Sequence, residues 1–340
     1  MCLVIKMRKI RIAQIGTSNF SHGNHIFMSL KKQSDIFDIA GYALPENERE
    51  KFPHLMPCFE GYGEMTVEKI LADPEIEAVT IETEEPYLTK YAQMAAEAGK
   101  AIHMEKPGGQ DLSAFETLME TVKQKGLLFH TGYMYRYNPE VFRLLERVKN
   151  GELGDIVFVE AQMNTNHGPE ARTFLKDLDG GIMFFLGCHM VDLIMQILGV
   201  PKNVVPFNKS TGKDGIDSKD NGFAVLEYEN ATAFAKSCSV EVGGFARRQL
   251  VVTGTKGTVE LRPLEIFIDG FAHCTGVTEC LDQQAPAWLY AGENRESEQY
   301  DRYNDMMAAF AAMVRGEKEN LWSYDYELNL YKTVLKASGL

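Results

Sequence analysis

The first 130 residues alternate between short apolar runs and longer amphipathic segments, and this alternation limits the possible folds more than any other feature of the chain. The runs 9–15 (KIRIAQI) and 77–83 (EAVTIET) have the β-branched, apolar character of buried strands. The segment 85–100 carries a proline near its start and a glycine near its end, which is typical of a helix. Because strands that alternate with helices form βαβ units, we predict an α/β domain with a doubly wound parallel sheet over residues 1–130.

After residue 130 the pattern changes to one mostly apolar helix, 182–199, followed by several strands that are joined by short turns. Two hairpins are predicted, one around Asn230 and one that turns at 255–257. This pattern predicts a second, α+β domain over residues 131–340, with a large and mostly antiparallel open sheet.

The composition excludes several classes of partner and location. The net charge is −13 over 340 residues, so neither a nucleic acid nor an anionic membrane surface is an expected partner. No apolar run approaches the roughly 20 residues that cross a bilayer, and residues 1–16 lack a signal-peptide cleavage pattern. The six cysteines are scattered without a C-x-x-C pair, which indicates free thiols rather than a disulfide framework or a zinc site. We therefore expect a cytoplasmic protein.

The segment GTSNFS follows the first predicted strand, where a dinucleotide-binding loop would read G-x-G-x-x-G. Gly16 is present, but Ser18 and Ser21 stand in place of the second and third glycines. A serine can still present its backbone N–H at a helix N-terminus, where the dipole favours anions, and its hydroxyl can add a hydrogen bond to a phosphate. We interpret the segment as a working cofactor turn; the alternative is a turn that never held a cofactor. The turn residues expected to contact the cofactor are Gly16, Thr17, Ser18, Asn19 and Phe20.

The segment HMEKPGG follows another short apolar strand, so Glu105 and Lys106 come at the carboxyl end of that strand. Ligands bind at this edge of open α/β sheets. Pro107 keeps Lys106 extended, and a lysine there can hydrogen-bond a substrate hydroxyl, with a pKa that burial can lower into a useful range. The alternative is a surface lysine in a loop.

Two stretches carry candidate chemistry in the second half. His189 and Asp192 are three residues apart and share a helix face, and imidazole suits proton transfer near neutral pH; the alternative is a core histidine. The stretch GYMYRYNP supplies hydroxyl and guanidinium groups at the crossover between domains, where ligand clefts are common; the alternative is an aromatic hinge. Its candidate substrate-binding residues are Tyr133, Tyr135 and Arg136.

In this order, the strand–EKP turn, the G-Y-x-x-R-[YF]-[ND]-P crossover, the GELGDI segment and the G-G…G-x-H-x-x-D helix resemble the Gfo/Idh/MocA oxidoreductase family. The stretch EAGKAIHMEKP is similar to that family's E-A-G-K-x-V-x-x-E-K-P. The resemblance implies an N-terminal Rossmann domain, a second domain with an open sheet, and pairing through that sheet as a homodimer or homotetramer. It also implies that a nicotinamide cofactor oxidises or reduces a sugar or polyol hydroxyl, with Lys106 near that hydroxyl and His189 at the reacting carbon.

The chain departs from the family pattern at three places. The aspartate that usually stands four residues before the histidine is Phe185 here, so proton transfer falls to His189, Lys106 or a neighbouring tyrosine. The acidic residue that usually holds the adenosine ribose is Leu44, so the sequence does not distinguish NAD from NADP, although nearby acidity slightly favours NAD. The segment ETEEPY places Glu82, Glu84 and Glu85 near a bound pyrophosphate, where they weaken binding unless they point outward or contact ribose hydroxyls.

The leading hypothesis is an NAD(P)-dependent oxidoreductase in which a sugar, glycoside or polyol hydroxyl loses its proton to His189 or Lys106. The reactive ring is expected at the carboxyl edge of the first sheet, between those two groups. Predicted substrate-binding residues are Tyr133, Tyr135, Arg136, Asn164, Arg172 and Asp192, and predicted cofactor contacts beyond the turn are Leu44, Thr83, Glu105 and Lys106. A non-catalytic regulator that binds sugar or dinucleotide is the second hypothesis. No metal is expected, because His22, His25 and His189 lack a further ligand at metal spacing.

Overall fold

The structure, a computed structural model, describes residues 8–269, 271–281 and 292–340. Cys2 and the rest of the extreme N-terminus lie outside the described residues. Contacts between residues divide the chain into two compact units. The first is Met1–Gly132 with Tyr303–Leu328, and the second is Tyr133–Arg302 with Asn329–Leu340. The segment Tyr303–Leu328, which the sequence analysis assigned to the second domain, therefore packs with the first unit.

The first unit is built on a five-stranded parallel sheet of order β2-β1-β3-β4-β5. Its strands are β1 Ile10–Ile15, β2 Phe37–Ala43, β3 Ala78–Ile81, β4 Ala101–Met104 and β5 Phe129–Thr131. The central strands are buried, with Ile12, Val79 and Ile102 fully inaccessible, because helices cover both faces of a parallel sheet. The predicted Rossmann domain is confirmed, and the carboxyl ends of β1, β3 and β4 form one edge.

The helices of the first unit within the described residues are α1 Gly23–Lys32, α2 Glu48–Lys51, α3 Val67–Ala72, α4 Glu85–Glu97, α5 Leu112–Lys125 and α9 Asn304–Val314. Two of them, α3 and α5, begin at a residue whose side chain caps the helix. The Asp111 carboxylate accepts from Ala114 N at the start of α5, and Gly126 closes that helix with φ 61°. Helix α9 contacts α1, where the Ser29 hydroxyl donates to Asn304 Oδ1 at 2.7 Å. This packing explains why the segment after residue 302 joins the first unit.

The second unit carries an eight-stranded sheet of order β15-β14-β11-β10-β6-β9-β8-β7, in which only β6 and β9 run parallel among the described strands. Its strands are β6 Ile156–Gln162, β7 Asn203–Pro206, β8 Asn221–Glu227, β9 Thr232–Cys238, β10 Gln249–Gly254, β11 Gly257–Leu261, β14 Gly276–Leu281 and β15 Glu293–Glu296. A smaller sheet contains β12 Ile266–Asp269, β13 Ala272–Cys274 and β16 Tyr300–Asp301. Both predicted hairpins, β8–β9 and β10–β11, are confirmed.

Helix α6, Pro139–Lys149, contacts β11 of the large sheet, and helix α8, Cys188–Leu198, contacts β6 and β9. Helix α7, Pro169–Lys176, precedes α8, and α10, Tyr324–Ser338, is the last helix. The sequence predicts one helix over 182–199, but the structure has a π-helical turn, Met183–Gly187, before α8. Gly187 leaves room for Met183, whose Sδ would lie 2.3 Å from an added Cβ. Single π-helical turns of this kind are frequent next to functional residues, and His189 follows directly.

Candidate functional site

The turn between β1 and α1, residues 16–23, requires a glycine at its first position. Gly16 has φ +90°, and a Cβ added there would lie 2.4 Å from Thr83 Cγ2 and 2.6 Å from Thr83 N. Its own N–H donates to Ala43 O at the end of β2 at 2.8 Å. Gly16 therefore lets the ends of β1, β2 and β3 approach one another, which is the role of the first glycine in a dinucleotide turn.

The two serines of this turn accept hydrogen bonds from the turn itself. Ser18 Oγ accepts from Phe20 N at 3.2 Å and from Ser21 N at 2.9 Å. Ser21 Oγ accepts from Ser18 N at 3.0 Å and from Gly23 N at 3.2 Å. The sequence predicts that these hydroxyls can donate to a phosphate; in the structure their oxygens also accept from backbone N–H groups of the turn.

Glu48, at the start of α2, is a site residue that the sequence analysis counted only as general acidity. Its side chain is 0% exposed, and its Oε2 accepts from Thr17 N at 3.2 Å. Its Oε1 has no hydrogen-bond partner among the described residues. Burial raises the pKa of this carboxyl to about 9, so it is neutral near pH 7. Nothing in the sequence indicates that Glu48, four residues after Leu44 at the expected ribose-binding position, has a buried side chain.

The predicted Glu105 and Lys106 lie at the carboxyl end of β4, and both are buried. The Glu105 carboxylate accepts from His22 N at 2.9 Å and from Lys106 N at 2.8 Å, and its Oε2 lies 2.7 Å from His22 Nδ1. Lys106 Nζ is 3.8 Å from Glu105 Oε1. Burial opposes the Glu105 charge, but His22 and Lys106 outweigh it and lower the pKa of Glu105 to about 2. The carboxylate thus stays ionised and ties the β1–α1 turn to the EKP segment.

The glutamates after β3 point inward rather than outward. Glu82 and Glu85 are buried, and their carboxyl oxygens have no hydrogen-bond partner among the described residues. Burial raises the pKa of both, assisted at Glu82 by the Glu105 charge, and the pKa of Glu85 reaches about 7. Glu84 remains partly exposed and pairs with Lys51 at 2.7 Å. The edge of the sheet therefore presents two buried carboxyl groups with raised pKa values, Glu82 and Glu85, as well as the ionised Glu105.

A cavity of about 410 Å³ opens beside the end of β2. It is lined by Ala43, Leu44, Pro45, Glu64, Met65, Thr66, Val67, Glu68, Lys90, Tyr91 and Met94. Glu46 Oε1 lies 2.7 Å from both Lys90 Nζ and Tyr91 Oη, and Arg49 pairs with Glu64. The predicted cofactor residue Leu44 thus lines a cavity of mixed polar and apolar character, in which Glu64, Lys90 and Tyr91 already have partners.

In the second unit, His189 is buried on α8 beside the aromatic rings of Tyr133 and Tyr135, two predicted substrate-binding residues. The ring centroids of Tyr133 and Tyr135 lie 5.5 Å and 5.4 Å from that of His189, both edge to face. Phe185, one turn before, packs against Phe174 at 5.5 Å. The structure therefore brings the histidine and both tyrosines together, with aromatic surface where the family's aspartate usually stands.

Arg136 and Asp192 form a buried, bidentate ion pair. Arg136 Nη2 lies 2.8 Å from Asp192 Oδ1, and Arg136 Nε lies 3.1 Å from Oδ2. Gln196 Nε2 donates to the same carboxylate at 2.9 Å, and the Arg136 guanidinium lies 4.6 Å from the Tyr133 ring centroid. This pair joins the crossover segment to α8 and supports the rings around His189.

Tyr135 belongs to a charged network with Glu265. Its hydroxyl donates to Glu265 Oε1 at 2.6 Å, and Arg248 and Arg302 both pair with that carboxylate. Burial and the Glu265 charge raise the pKa of Tyr135 above its ordinary value, while the two arginines overcome burial and lower the pKa of Glu265 to about 2. Tyr135 is therefore a hydrogen-bond donor near neutral pH, not a base.

The remaining predicted substrate residues differ in how they are engaged. Asn164 is buried, and neither atom of its side-chain amide has a hydrogen-bond partner among the described residues. Arg172 is buried too, but it donates to Lys213 O at 2.7 Å and pairs with Asp214, which anchors that loop. A buried amide without a partner is costly, so Asn164 retains hydrogen-bonding capacity that the described residues do not use.

Two histidines of the metal alternative, His22 and His25, lie beside the ring of Tyr303, at 5.5 Å and 5.3 Å between centroids. No cluster of three or more His, Cys, Asp or Glu residues in the described part of the chain could hold a metal ion. Nor does any helix there combine the length and apolarity that crossing a membrane requires.

Residues 10–133 match the family described as "Oxidoreductase family, NAD-binding Rossmann fold", and residues 141–260 match "GFO/IDH/MocA C-terminal domain". The two matches follow each other in the order that the sequence motifs predict. The chain belongs to the Gfo/Idh/MocA oxidoreductase family.

Characterised relatives are distant. The scyllo-inositol 2-dehydrogenase (NADP(+)) IolW of Bacillus subtilis is 25% identical over 72% of this chain and 67% of its own length. The trans-1,2-dihydrobenzene-1,2-diol dehydrogenase of Bos taurus is 26% identical over 62% of this chain and 63% of its own, so the chain spans less than two thirds of that relative. The D-xylose 1-dehydrogenase (NADP(+)) 2 of Haloferax volcanii is 29% identical over 52% of this chain and 54% of its own.

Solved structures share the fold over almost the whole chain. An oxidoreductase from Thermotoga maritima superposes with TM-score 0.77 at 18% identity, covering 97% of this chain and 96% of that one. KijD10, a 3-ketoreductase from Actinomadura kijaniata in complex with TDP-benzene and NADP, superposes with TM-score 0.74 at 16% identity, covering 96% of each chain. At these identities the likeness establishes the fold alone.

Proposed function

We propose that this chain is an NAD(P)-dependent dehydrogenase that acts on a ring or chain hydroxyl of a sugar, glycoside or polyol. The observation that carries the proposal is the buried Lys106 beside the ionised Glu105 at the carboxyl end of β4, in a Rossmann unit of an oxidoreductase family. Lysine is almost never fully buried without a partner or a task. The inositol and xylose dehydrogenases among the relatives support a sugar or polyol substrate.

When bound, the nicotinamide cofactor supplies the hydride acceptor or donor. The turn that requires glycine at residue 16 fits the diphosphate of an adenosine diphosphate group, and the cavity beside Leu44 fits its adenosine. The residues proposed to hold the cofactor are Gly16, Thr17, Ser18, Asn19, Phe20, Leu44, Thr83, Glu105 and Lys106.

The charges around the cavity support NAD over NADP. Lys51, Lys90 and Arg49 each already pair with a glutamate. A 2′-phosphate would have to displace one of these glutamates to reach a cation, and it would meet the remaining carboxylates at close range. Two relatives named above are NADP(+) enzymes, so we expect this chain to differ from them in cofactor preference.

In the proposed reaction, His189 or Lys106 takes the proton of the substrate hydroxyl. The Tyr135 hydroxyl stays protonated because it donates to the Glu265 carboxylate, so Tyr135 serves only as a hydrogen-bond donor. The unpartnered amide of Asn164 would bind a further hydroxyl, since an amide can donate and accept at once. The Arg136–Asp192 pair would position Tyr133, because the guanidinium covers that ring.

A panel of sugars, glycosides and polyols, each with NAD and with NADP, tests this function by the absorbance of the reduced nicotinamide. Lys106→Ala and His189→Ala should each lower kcat at least about a hundredfold, the usual contribution of a general acid or base. His54→Ala and Lys123→Ala are matched controls, because both side chains are exposed. Turnover that survives in both site variants would contradict the assigned roles.

A non-catalytic regulator that binds sugar or dinucleotide is the second candidate. The engaged donors of the β1–α1 turn favour it, since Ser18 and Ser21 already bind four backbone N–H groups there. This candidate predicts a ligand that binds without turnover in the same panel, and site variants that change only affinity.

We also propose that the chain forms a homodimer or homotetramer through the open face of the large sheet. Phe158, Phe234, Phe223 and Phe207 form a continuous row of rings across β6, β9 and β8 to the residue after β7, with centroids 5.4–6.2 Å apart. Phe207 is 50% exposed, and the others are half-buried. A row of aromatic side chains open to water is typical of an interface.

A further inference from the structure

Six backbone N–H groups of the β1–α1 turn donate to oxygens of the chain's own side chains. Four N–H groups donate to the hydroxyls of Ser18 and Ser21, at 2.9–3.2 Å. Thr17 N donates to Glu48, and His22 N donates to Glu105. Hydroxyl and carboxyl oxygens of four side chains therefore accept from the backbone donors that would otherwise bind an anion before the helix N-terminus.

A diphosphate would need these same donors. An N–H group makes one good hydrogen bond, so each phosphate contact requires that a side-chain oxygen first be released. A charged phosphate oxygen is a better acceptor than a hydroxyl. The net gain in binding free energy is nevertheless only the difference between the new hydrogen bond and the one that is lost. In a turn with glycines at both serine positions, the phosphate would replace water instead.

Glu48 differs from the serines because its carboxyl is itself incompletely satisfied. One oxygen accepts from Thr17 N, while the other is buried and has no hydrogen-bond partner among the described residues. Glu46, Lys51 and Glu84 are the charged groups that act on it. A buried carboxyl oxygen without a partner, on a side chain that accepts from Thr17 N, marks a place that a ligand group can contact or displace.

We propose that the side-chain oxygens of Ser18, Ser21 and Glu48 compete with the cofactor diphosphate for the backbone N–H groups of this turn, so that the dinucleotide is held mainly at its adenosine and nicotinamide ends. The inference rests on the proposed function, because it concerns the same cofactor. It predicts that removing the competing oxygens strengthens diphosphate binding. Catalytic residues are not involved, since none of the three is placed at the reacting groups.

The test compares the binding of ADP, adenosine and NADH by calorimetry, with NADH fluorescence as a second readout. The variants are the double change Ser18→Gly with Ser21→Gly, and separately Glu48→Ala. Neither serine has a positive φ, so glycine keeps the backbone conformation accessible. Glu48→Gln, which retains an acceptor for Thr17 N, and Glu50→Ala, at an exposed position of the same helix, are the controls. Far-UV circular dichroism checks that each variant folds.

We expect ADP and NADH to bind about tenfold more tightly to the double-glycine variant, the effect of one hydrogen bond that no longer has to be exchanged. Adenosine, which lacks the diphosphate, should bind equally to all variants. If wild type binds NADH and neither variant gains affinity for ADP, the inference is overturned and the proposed function stands. If only the variants bind, the inference is supported and the natural chain is not the proposed dehydrogenase. If no variant binds NADH or ADP, both are overturned.

Discussion

Replacing Glu48 with glutamine should stabilise the protein, and the gain should grow with pH. The carboxyl is fully buried, and its pKa is about 9, compared with an ordinary value of 4.5. The folded chain keeps this proton until about pH 9, whereas the unfolded chain loses it above about pH 4.5. The stability that depends on the proton is therefore complete below pH 4.5 and is lost progressively as the pH rises to about 9.

Each pH unit in this range changes the free energy of unfolding by about 1.4 kcal/mol. Between about pH 5 and pH 7 the wild type should lose close to 3 kcal/mol that Glu48→Gln does not lose. The glutamine oxygen can still accept from Thr17 N, but its amide nitrogen adds a buried donor that costs about 1–3 kcal/mol at every pH. The variant is thus no more stable than the wild type at about pH 5, gains about 3 kcal/mol relative to it by about pH 7, and becomes the more stable protein as the pH rises.

Urea unfolding, followed by far-UV circular dichroism at several pH values from about 5 to 8, measures this difference. Glu50→Gln is the control, because Glu50 is exposed on the same helix and should show no pH-dependent gain. Two stability curves that stay parallel across this range would refute the reasoning, since a carboxyl that titrates normally gives no such divergence.

Three further changes probe the second unit. Arg136→Met leaves Asp192 buried without its guanidinium, and the free energy of unfolding should fall by about 3–5 kcal/mol in urea titrations; a loss below 1 kcal/mol contradicts the importance of the pair. Asn164→Ala should raise KM about tenfold without lowering stability, because the amide lacks a protein partner to lose; an unchanged KM with lower stability indicates a structural role. Phe234→Glu should reduce the mass measured by light scattering to that of a single chain, whereas an unchanged oligomer excludes this face as the interface.

The fold was predictable because its signals are local. The apolar runs before Gly16 and Glu105 form β1 and β4. A continuous apolar run predicts such a strand because strands of a parallel sheet are buried on both faces. The family motifs likewise predicted the EKP turn and the histidine helix. The π-helical turn before α8 was not predictable, because it depends on how Met183 packs against Gly187 rather than on apolar spacing.

The candidate site was predictable only in part. Lys106 and His189 carry sequence motifs, and Tyr133 and Tyr135 were predicted as substrate-binding residues. Only the structure shows that the two tyrosine rings lie beside His189. Glu48 was missed because a charged residue in a polar segment gives no sign that it will be buried. The sequence left undecided whether Glu82 and Glu85 point outward. Both are buried, because packing and not their neighbours in sequence sets the direction of their side chains.

The sequence by itself determined the family, the parallel first sheet and the residues available for proton transfer, since each depends on residue type and short spacing. Only the tertiary structure decided which oxygens occupy the donors of the β1–α1 turn. The Thr17–Glu48 and His22–Glu105 hydrogen bonds join residues 31 and 83 positions apart. Such pairings arise when strands from distant parts of the chain end at one edge, and burial there also sets which carboxyl groups keep their protons.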